Sequence, residues 1–239
     1  MNHPSRRKAR FASRQRAAMV RQIRVEALAT AGYTGLTAFS PAVMKVMARV
    51  PRHRFVAPEW ADSAYDDTPL TIGYGQTISQ PFMVALMTEL AAIRATATVL
   101  EIGCGSGYQA AILARLARQV YSIERVEPLA VEARQRLAAM DYSNVDVRVG
   151  DGYYGWPEQA PFDAILITAA VAEVPPPLLA QLKPGGRMVV PLGIAAEGQV
   201  LTVLTRHSDG TVEQQRVLPV AFVPFLHRPE SQFSYNSGL

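Results

Sequence analysis

The segment Val99-Leu-Glu-Ile-Gly-Cys-Gly-Ser-Gly-Tyr108 sets three glycines, Gly103, Gly105 and Gly107, at alternate positions behind a short apolar run. Glycine lets the backbone turn tightly and approach a ligand without Cβ contact. A dinucleotide fingerprint would carry its third glycine one position later, where Tyr108 stands. Glu101, just before the turn, would repel a phosphate but suits a cationic ligand. S-adenosylmethionine has a sulfonium and an ammonium and no phosphate, and is the cofactor these residues favour. Two further positions strengthen the reading. Glu124 closes the apolar run Val120–Ile123, 19 residues after Gly105, where an acidic side chain reaches ribose hydroxyls. Gly150-Asp-Gly152 directly follows Val145–Val149, and Asp151 can accept a hydrogen bond from an adenine amino group. Each has a plainer alternative: a glycine turn that only ends a strand, a solvated charge, an ordinary Asp-Gly turn. Together, in this order, they point to one ligand.

Other reactive side chains are few. His3, His53, His207 and His227 show neither catalytic nor metal-ligand spacing, so no metal is expected. Cys104, the single cysteine, has no histidine nearby in sequence and reads as a small turn residue; alone it excludes an intramolecular disulfide. Arg52, His53 and Arg54 either line a channel for a carboxylate or form a solvated turn after a helix. Trp156, between Gly155 and Pro157, reads as a loop anchor.

The elements that must hold these positions follow from apolar periodicity. Ala17–Thr30 carries Met19, Val20, Ile23 and Ala27 at helical spacing. Ser40–Pro41 is a cap followed by proline at the first helical position, opening Ala42–Val50. Asp66–Gly75 is loop or short hairpin, and Pro81–Ile93 is helical again. From Val99 onward strands alternate with helices: Val99–Ile102, Tyr108–Arg118, Val120–Ile123, Pro128–Met140, Val145–Val149, Ala164–Thr168 and Met188–Val190. Leu201–Leu204 and Val217–Val223 close the series around the turn Ser208-Asp-Gly210. The expected fold is α/β: a Rossmann-like, doubly wound, mostly parallel sheet with an antiparallel C-terminal strand pair and an N-terminal helical extension. The expected division is a flexible basic arm over 1–16, one domain over 17–226 (a helical substrate part 17–95 and a cofactor-binding core 96–226), and a tail over 227–239.

Composition agrees with one globular unit. The 239 residues are 49% hydrophobic and 18% charged, with 16 Gly and 17 Pro and a mean hydropathy of +0.06. No apolar run is long enough for a membrane span, and none follows Arg6–Arg7–Lys8 to make a secretory signal. The net charge of +4 is unevenly placed. Eight of the 24 basic residues lie in 1–24 without an acid, so the other 16 stand against all 20 acidic ones, a net of −4. Phe11 is the single aromatic residue in the basic stretch, too few for a series of base-stacking platforms, so nucleic acid is not an expected partner. No membrane association is expected, and the expected location is cytoplasmic.

Val99–Tyr108, Ser122-Ile-Glu-Arg125 and Gly150-Asp-Gly152 resemble a class I S-adenosylmethionine-dependent methyltransferase. Pro69-Leu-Thr-Ile-Gly-Tyr-Gly-Gln-Thr-Ile-Ser-Gln-Pro81 narrows the resemblance to the protein-L-isoaspartate O-methyltransferase family. So do Val50-Pro-Arg52 with Phe55-Val56, Ala160-Pro-Phe-Asp-Ala164, Gln181-Leu-Lys-Pro-Gly-Gly186 and Phe222-Val-Pro224. The resemblance covers roughly residues 17–226, and Gln76–Pro81 is its most specific part. It implies methyl transfer to the free carboxylate of L-isoaspartyl residues in damaged proteins or peptides, with S-adenosyl-L-homocysteine as by-product and no metal. It implies Ser79 as the active-site serine, and Ile72, Gly73, Tyr74, Gly75, Ser106, Glu124, Arg125, Asp151 and Gly152 as cofactor contacts beside Glu101, Gly103, Gly105 and Gly107. A carboxylate acceptor is ionised near neutrality, so such a site needs positioning rather than a base. The strand ending Thr168-Ala-Ala170 lacks the acidic-aromatic cluster used by many amine methylators. Ser79 has a second reading, as the N-cap of the helix opening at Pro81. The rival readings are the same fold acting on a dedicated peptide or small-molecule carboxylate, a nucleotide-binding oxidoreductase, and a catalytically silent binding module using the basic arm.

Overall fold

A computed structural model describes residues 4–227, with side chains from residue 11 onward. Helices α1 (Pro4–Ala29), α2 (Ala31–Thr34) and α3 (Pro41–Met47) come first. The hairpin β1 (Leu70–Gly73) and β2 (Gln76–Ile78) comes next, then α4 (Pro81–Leu90). The sheet region runs β3 (Thr98–Ile102), α5 (Tyr108–Ala114), β4 (Gln119–Glu124), α6 (Glu127–Ala138), β5 (Val145–Val149), β6 (Phe162–Ile167), α7 (Pro176–Ala180), β7 (Leu182–Leu192), β8 (Gln199–Arg206) and β9 (Val212–Val220).

The seven strands of the main sheet lie in the order β5-β4-β3-β6-β7-β8-β9. Pairs among β3 to β7 are parallel, and β8 is antiparallel to both β7 and β9. The expected fold class holds, and the last strands form a simple meander. From β3 the chain steps outward to β4 and β5, then crosses back to lay β6 on the other side of β3. The connections leaving the carboxyl ends of β3 and β6 therefore lead to opposite sides of the sheet, a topological switch point where an open parallel sheet leaves room for a ligand.

Side chains alternate across this sheet with period two. Val99, Val120, Ala164 and Leu166 face the large core shared with α1, α3, α4, α5 and α6. Leu100, Ile102, Ile165 and Ile167 face a smaller core with Leu178 of α7. Burial on both faces explains why the parallel strands read as continuous apolar runs.

Two N-terminal features depart from expectation. The backbone does not break at residue 16 to set an arm apart from the domain, because α1 runs continuously from Pro4 to Ala29. Arg, Ala, Gln and Lys are strong helix formers, and no Gly or Pro interrupts 5–31. Its stripe Met19, Val20, Ile23 and Ala27 is buried. The second departure is Arg52, which is neither solvated nor lining a channel: it is 0% exposed, with its guanidinium over the Tyr108 ring. The tail expected over 227–239 lies, apart from His227, outside the described residues.

Candidate active site

Three strand ends build the site. After β3, Gly103, Gly105 and Gly107 all adopt positive φ, at 94°, 52° and 86°, conformations that a side chain would strain. A Cβ on Gly103 would overlap Thr168 Oγ1, and one on Gly105 would press Ile72 Cδ1 at 3.2 Å. After β4, Glu124 is nearly buried and pins the glycine turn: Oε2 accepts from Gly105 N at 2.8 Å and Oε1 from Val126 N at 2.8 Å. Each carboxylate oxygen keeps a further lone pair for a hydroxyl donor. After β5, Asp151 Oδ1 accepts from Tyr153 N at 3.0 Å, and Oδ2 pairs with Arg125 at 2.6 Å and with His227 Nδ1 at 3.1 Å. Burial opposes ionisation of Asp151, but the Tyr153 N–H, the His227 ring and Arg125 outweigh it and hold the carboxyl below its usual range.

A cleft opens at the switch point. Of the residues selected from the sequence, Gly103, Gly105, Glu124, Arg125 and Gly152 line it. Gln76, Thr77, Thr168, Ala169 and Val223–Leu226 also line it and were not singled out as site residues. The C-terminal lining was legible only as the motif Phe222-Val-Pro224, whose apolar side chains carry no chemical signature. A Cβ on Gly152 would overlap Ile102, so backbone approaches the cleft here too. Glu124 offers buried acceptors for hydroxyl groups beside the glycine backbone, while Asp151, next to the lining residue Gly152, is not itself in the lining. The cations near the turn are engaged by the protein, Arg136 with Ser106 O and Glu132 and Arg125 with Asp151, and this set fits an adenosine ligand.

The remaining sequence-selected residues divide. Ile72 packs on the glycine turn from the β1–β2 hairpin. Gly73, Tyr74 and Gly75 shape the tip of that hairpin, all at positive φ, with Tyr74 exposed. Gly107 does not reach the cleft; it caps α5 and lets it approach Ala133 and Leu137 of α6. Glu101 requires the larger correction. It sits on the helix-covered face of β3, 0% exposed, and Ser122 Oγ donates to its Oε2. Burial pushes its carboxyl up to about 8, so it is a neutral acid at pH 7 and offers no charge to a cationic ligand. Cys104 lies in the same cluster with its thiol pushed up by burial, which makes it inert.

Glu101 predicts a pH signature. Its folded-state pKa is raised from 4.5 to about 8, so the folded chain holds a proton that the unfolded chain releases. That contribution is complete below pH 4.5 and is lost as pH rises through about 8, by at most about 1.4 kcal/mol per pH unit. Urea denaturation from pH 5 to 9 should show Glu101→Gln losing less stability than wild type with rising pH, and surpassing it above pH 8. Parallel curves would place the carboxyl in contact with water.

Ser79 lies beside a smaller pocket with Ser106, Gln109 and Tyr108. Thr77, Gly103, Gly105 and Thr168 line both cavities, so the serine pocket and the cleft adjoin. The capping alternative for Ser79 is corrected. The N-cap position of α4 is Gln80, and Asp67 serves the helix end from across the chain: Oδ1 accepts from Phe82 N at 2.8 Å and Oδ2 from Gln80 Nε2 at 3.1 Å. Ser79 is left free for another partner. Among the described residues, no three His, Cys, Asp or Glu side chains converge as metal ligands.

A sheet of this order, with its cleft at the switch point and a glycine turn after β3, defines a Rossmann-like methyltransferase architecture. One solved structure, a protein-L-isoaspartate O-methyltransferase, superposes with a TM-score of 0.74 at 28% identity, over 87% of this chain; this chain spans 65% of that one. A second, a putative protein-L-isoaspartate O-methyltransferase from Plasmodium falciparum in complex with S-adenosyl-L-homocysteine, shares the fold with a TM-score of 0.71 at 24% identity over 85% of this chain and 96% of its own. Among sequence relatives, protein-L-isoaspartate O-methyltransferase 2 of Polaromonas sp. is 55% identical over 87% of this chain and 95% of its own length. Protein-L-isoaspartate O-methyltransferase 1 of Cupriavidus necator is 55% identical over 89% of this chain and 82% of its own. The family model for protein-L-isoaspartate(D-aspartate) O-methyltransferase matches residues 24–230. The chain belongs to that family.

Proposed function

We propose that the cleft binds S-adenosylmethionine and that the enzyme methylates the free carboxylate of L-isoaspartyl residues in damaged proteins and peptides. The observation that carries this is the serine pocket adjoining the cleft through Thr77, Gly103, Gly105 and Thr168. A group held at Ser79 is thereby brought to the reactive end of a ligand lying on the glycine turn. The family, with relatives at 55% identity, supports the same activity.

When bound, the cofactor supplies an electrophilic methyl group. The chain does the holding. Asp151 accepts from the adenine amino group, Glu124 from the ribose hydroxyls, and the glycine turn admits the methionine portion. Arg125 anchors Asp151 rather than the ligand's charge. Ser79 Oγ donates to one oxygen of the acceptor carboxylate and leaves the other to attack. That nucleophile is ionised well below neutral pH, so no side chain has to take a proton. Catalysis is then chiefly alignment, for which up to roughly 7–11 kcal/mol is available. The methyl ester activates the carbonyl toward the neighbouring main-chain nitrogen; ring closure expels methanol and gives a succinimide, whose hydrolysis begins repair.

The proposed partners are therefore isoaspartyl-containing proteins and peptides. No helix among the described residues is long and apolar enough to cross a membrane. The activity is tested with a cofactor labelled in its methyl group and an isoaspartyl peptide. Label should enter the peptide and leave as methanol under mild base. Label that survives base would mean transfer to nitrogen and would overturn the assignment.

A further inference from the structure

Beyond β9 the chain folds back as a strap across the cleft. Its base is fixed by the backbone and by one buried side chain. Gln199 Oε1 accepts from Phe222 N at 2.6 Å and its Nε2 donates to Phe222 O at 3.2 Å. Ala170 N donates to Val223 O and Phe225 N to Ala170 O, both at 2.8 Å. Val223–Leu226 then line the cleft, and Phe225 packs over Gly152. The tip is held differently, by a single side chain. The His227 ring stacks on Tyr153 with centroids 4.0 Å apart and planes within 11°, and its Nδ1 lies 3.1 Å from Asp151 Oδ2.

We infer that His227 is a positioning residue for the nucleoside end of the ligand, fastening the strap over the cleft and fixing the Asp151 carboxylate for one incoming amino donor. This rests on the cofactor reading above. Two geometric facts favour a wall over a competitor. Rings 4.0 Å apart are in contact, so no base inserts between His227 and Tyr153. A carboxylate has about four acceptor sites; Tyr153 N, Arg125 and His227 fill three of Asp151's and leave one on Oδ1. The base of the strap cannot release without breaking paired backbone bonds, whereas at His227, the last described residue, one hydrogen bond and two ring contacts, with Tyr153 and Tyr154, have to part. Ligand exchange is therefore governed at His227.

The test uses full-length protein and S-adenosyl-L-homocysteine as probe, with affinity from calorimetry and dissociation rate from stopped-flow displacement. His227→Ala should raise the dissociation rate and Kd by about tenfold, the loss expected for one hydrogen bond to a charged group with its ring contact. At saturating cofactor, KM for an isoaspartyl peptide should move far less than that Kd. His227→Asn keeps an N–H donor near the Nδ1 position and should recover part of the loss. His227→Phe keeps the stack without the donor and should recover less. Thermal melting confirms that each variant is folded. Unchanged affinity and dissociation rate in His227→Ala would overturn the inference, as would tighter binding, which would make the ring a competitor. Wild-type protein that fails to bind the probe would instead sink the cofactor reading itself.

Discussion

Ser79→Ala should lower kcat about a hundredfold, the scale expected when a reacting group is misplaced by about 1 Å, while cofactor affinity stays near wild type. Stability should hold within about 0.5 kcal/mol, because α4 is capped by Asp67 and loses nothing when the Ser79 hydroxyl goes. The split separates positioning from structure. Ser79 lies in the serine pocket but is not among the residues of the cleft. Turnover and calorimetric affinity on the same preparation decide it. A variant that keeps its activity and melts earlier would return Ser79 to the capping role.

What could be read from the chain and what could not reflect one physical division. Gly103, Gly105, Glu124 and Asp151 were legible because each is an unusual residue for its place: a backbone without Cβ, or a charge at the end of an apolar run. The alternation of runs also announced the parallel sheet. The strap was not legible, because Val223–Leu226 contribute apolar surface and backbone, which look alike everywhere in a sequence. Glu101 was misread since a sequence shows a charged residue type, not the face of the strand it occupies. Its partner across the ladder is Ser122 on β4, and burial removes the charge that the sequence suggested. The basic stretch shares one continuous helix with the residues after it, Pro4–Ala29, which the density of arginine did not announce.

Arg52 carries the second large effect. Its Nε donates to Ala64 O at 2.7 Å, but Nη1 and Nη2 have no protein partner. Burial lowers its pKa to about 10, with Tyr108 and Asp67 pulling the other way. A buried cation so incompletely paired contributes through the space it fills and the Tyr108 face it covers, not through its charge. Arg52→Ala should therefore cost about 3 kcal/mol as a cavity opens beside Phe55 and Tyr108. Arg52→Met, which refills most of the volume without a charge, should fall within about 1 kcal/mol of wild type or exceed it. Urea denaturation of the pair checks this. Equal, large losses in both would show that the charge itself is required.

The central claim is that this enzyme recognises a carboxylate by its place on the peptide backbone and needs no base to activate it. An isoaspartyl residue carries the main chain through its β-carbon, so its free carboxylate sits about one methylene nearer the backbone than that of normal aspartate. A site gripping backbone and carboxylate together rejects the normal isomer by on the order of a hundredfold or more. The decisive measurement is the initial rate of methyl transfer to two peptides differing only in that linkage, from pH ~6 to ~8. The isoaspartyl peptide should react at a rate nearly independent of pH in this range, and the aspartyl peptide at about a hundredth of it or less. Equal rates on the two isomers, or a steep rise with pH arising in the chemical step, would contradict the account.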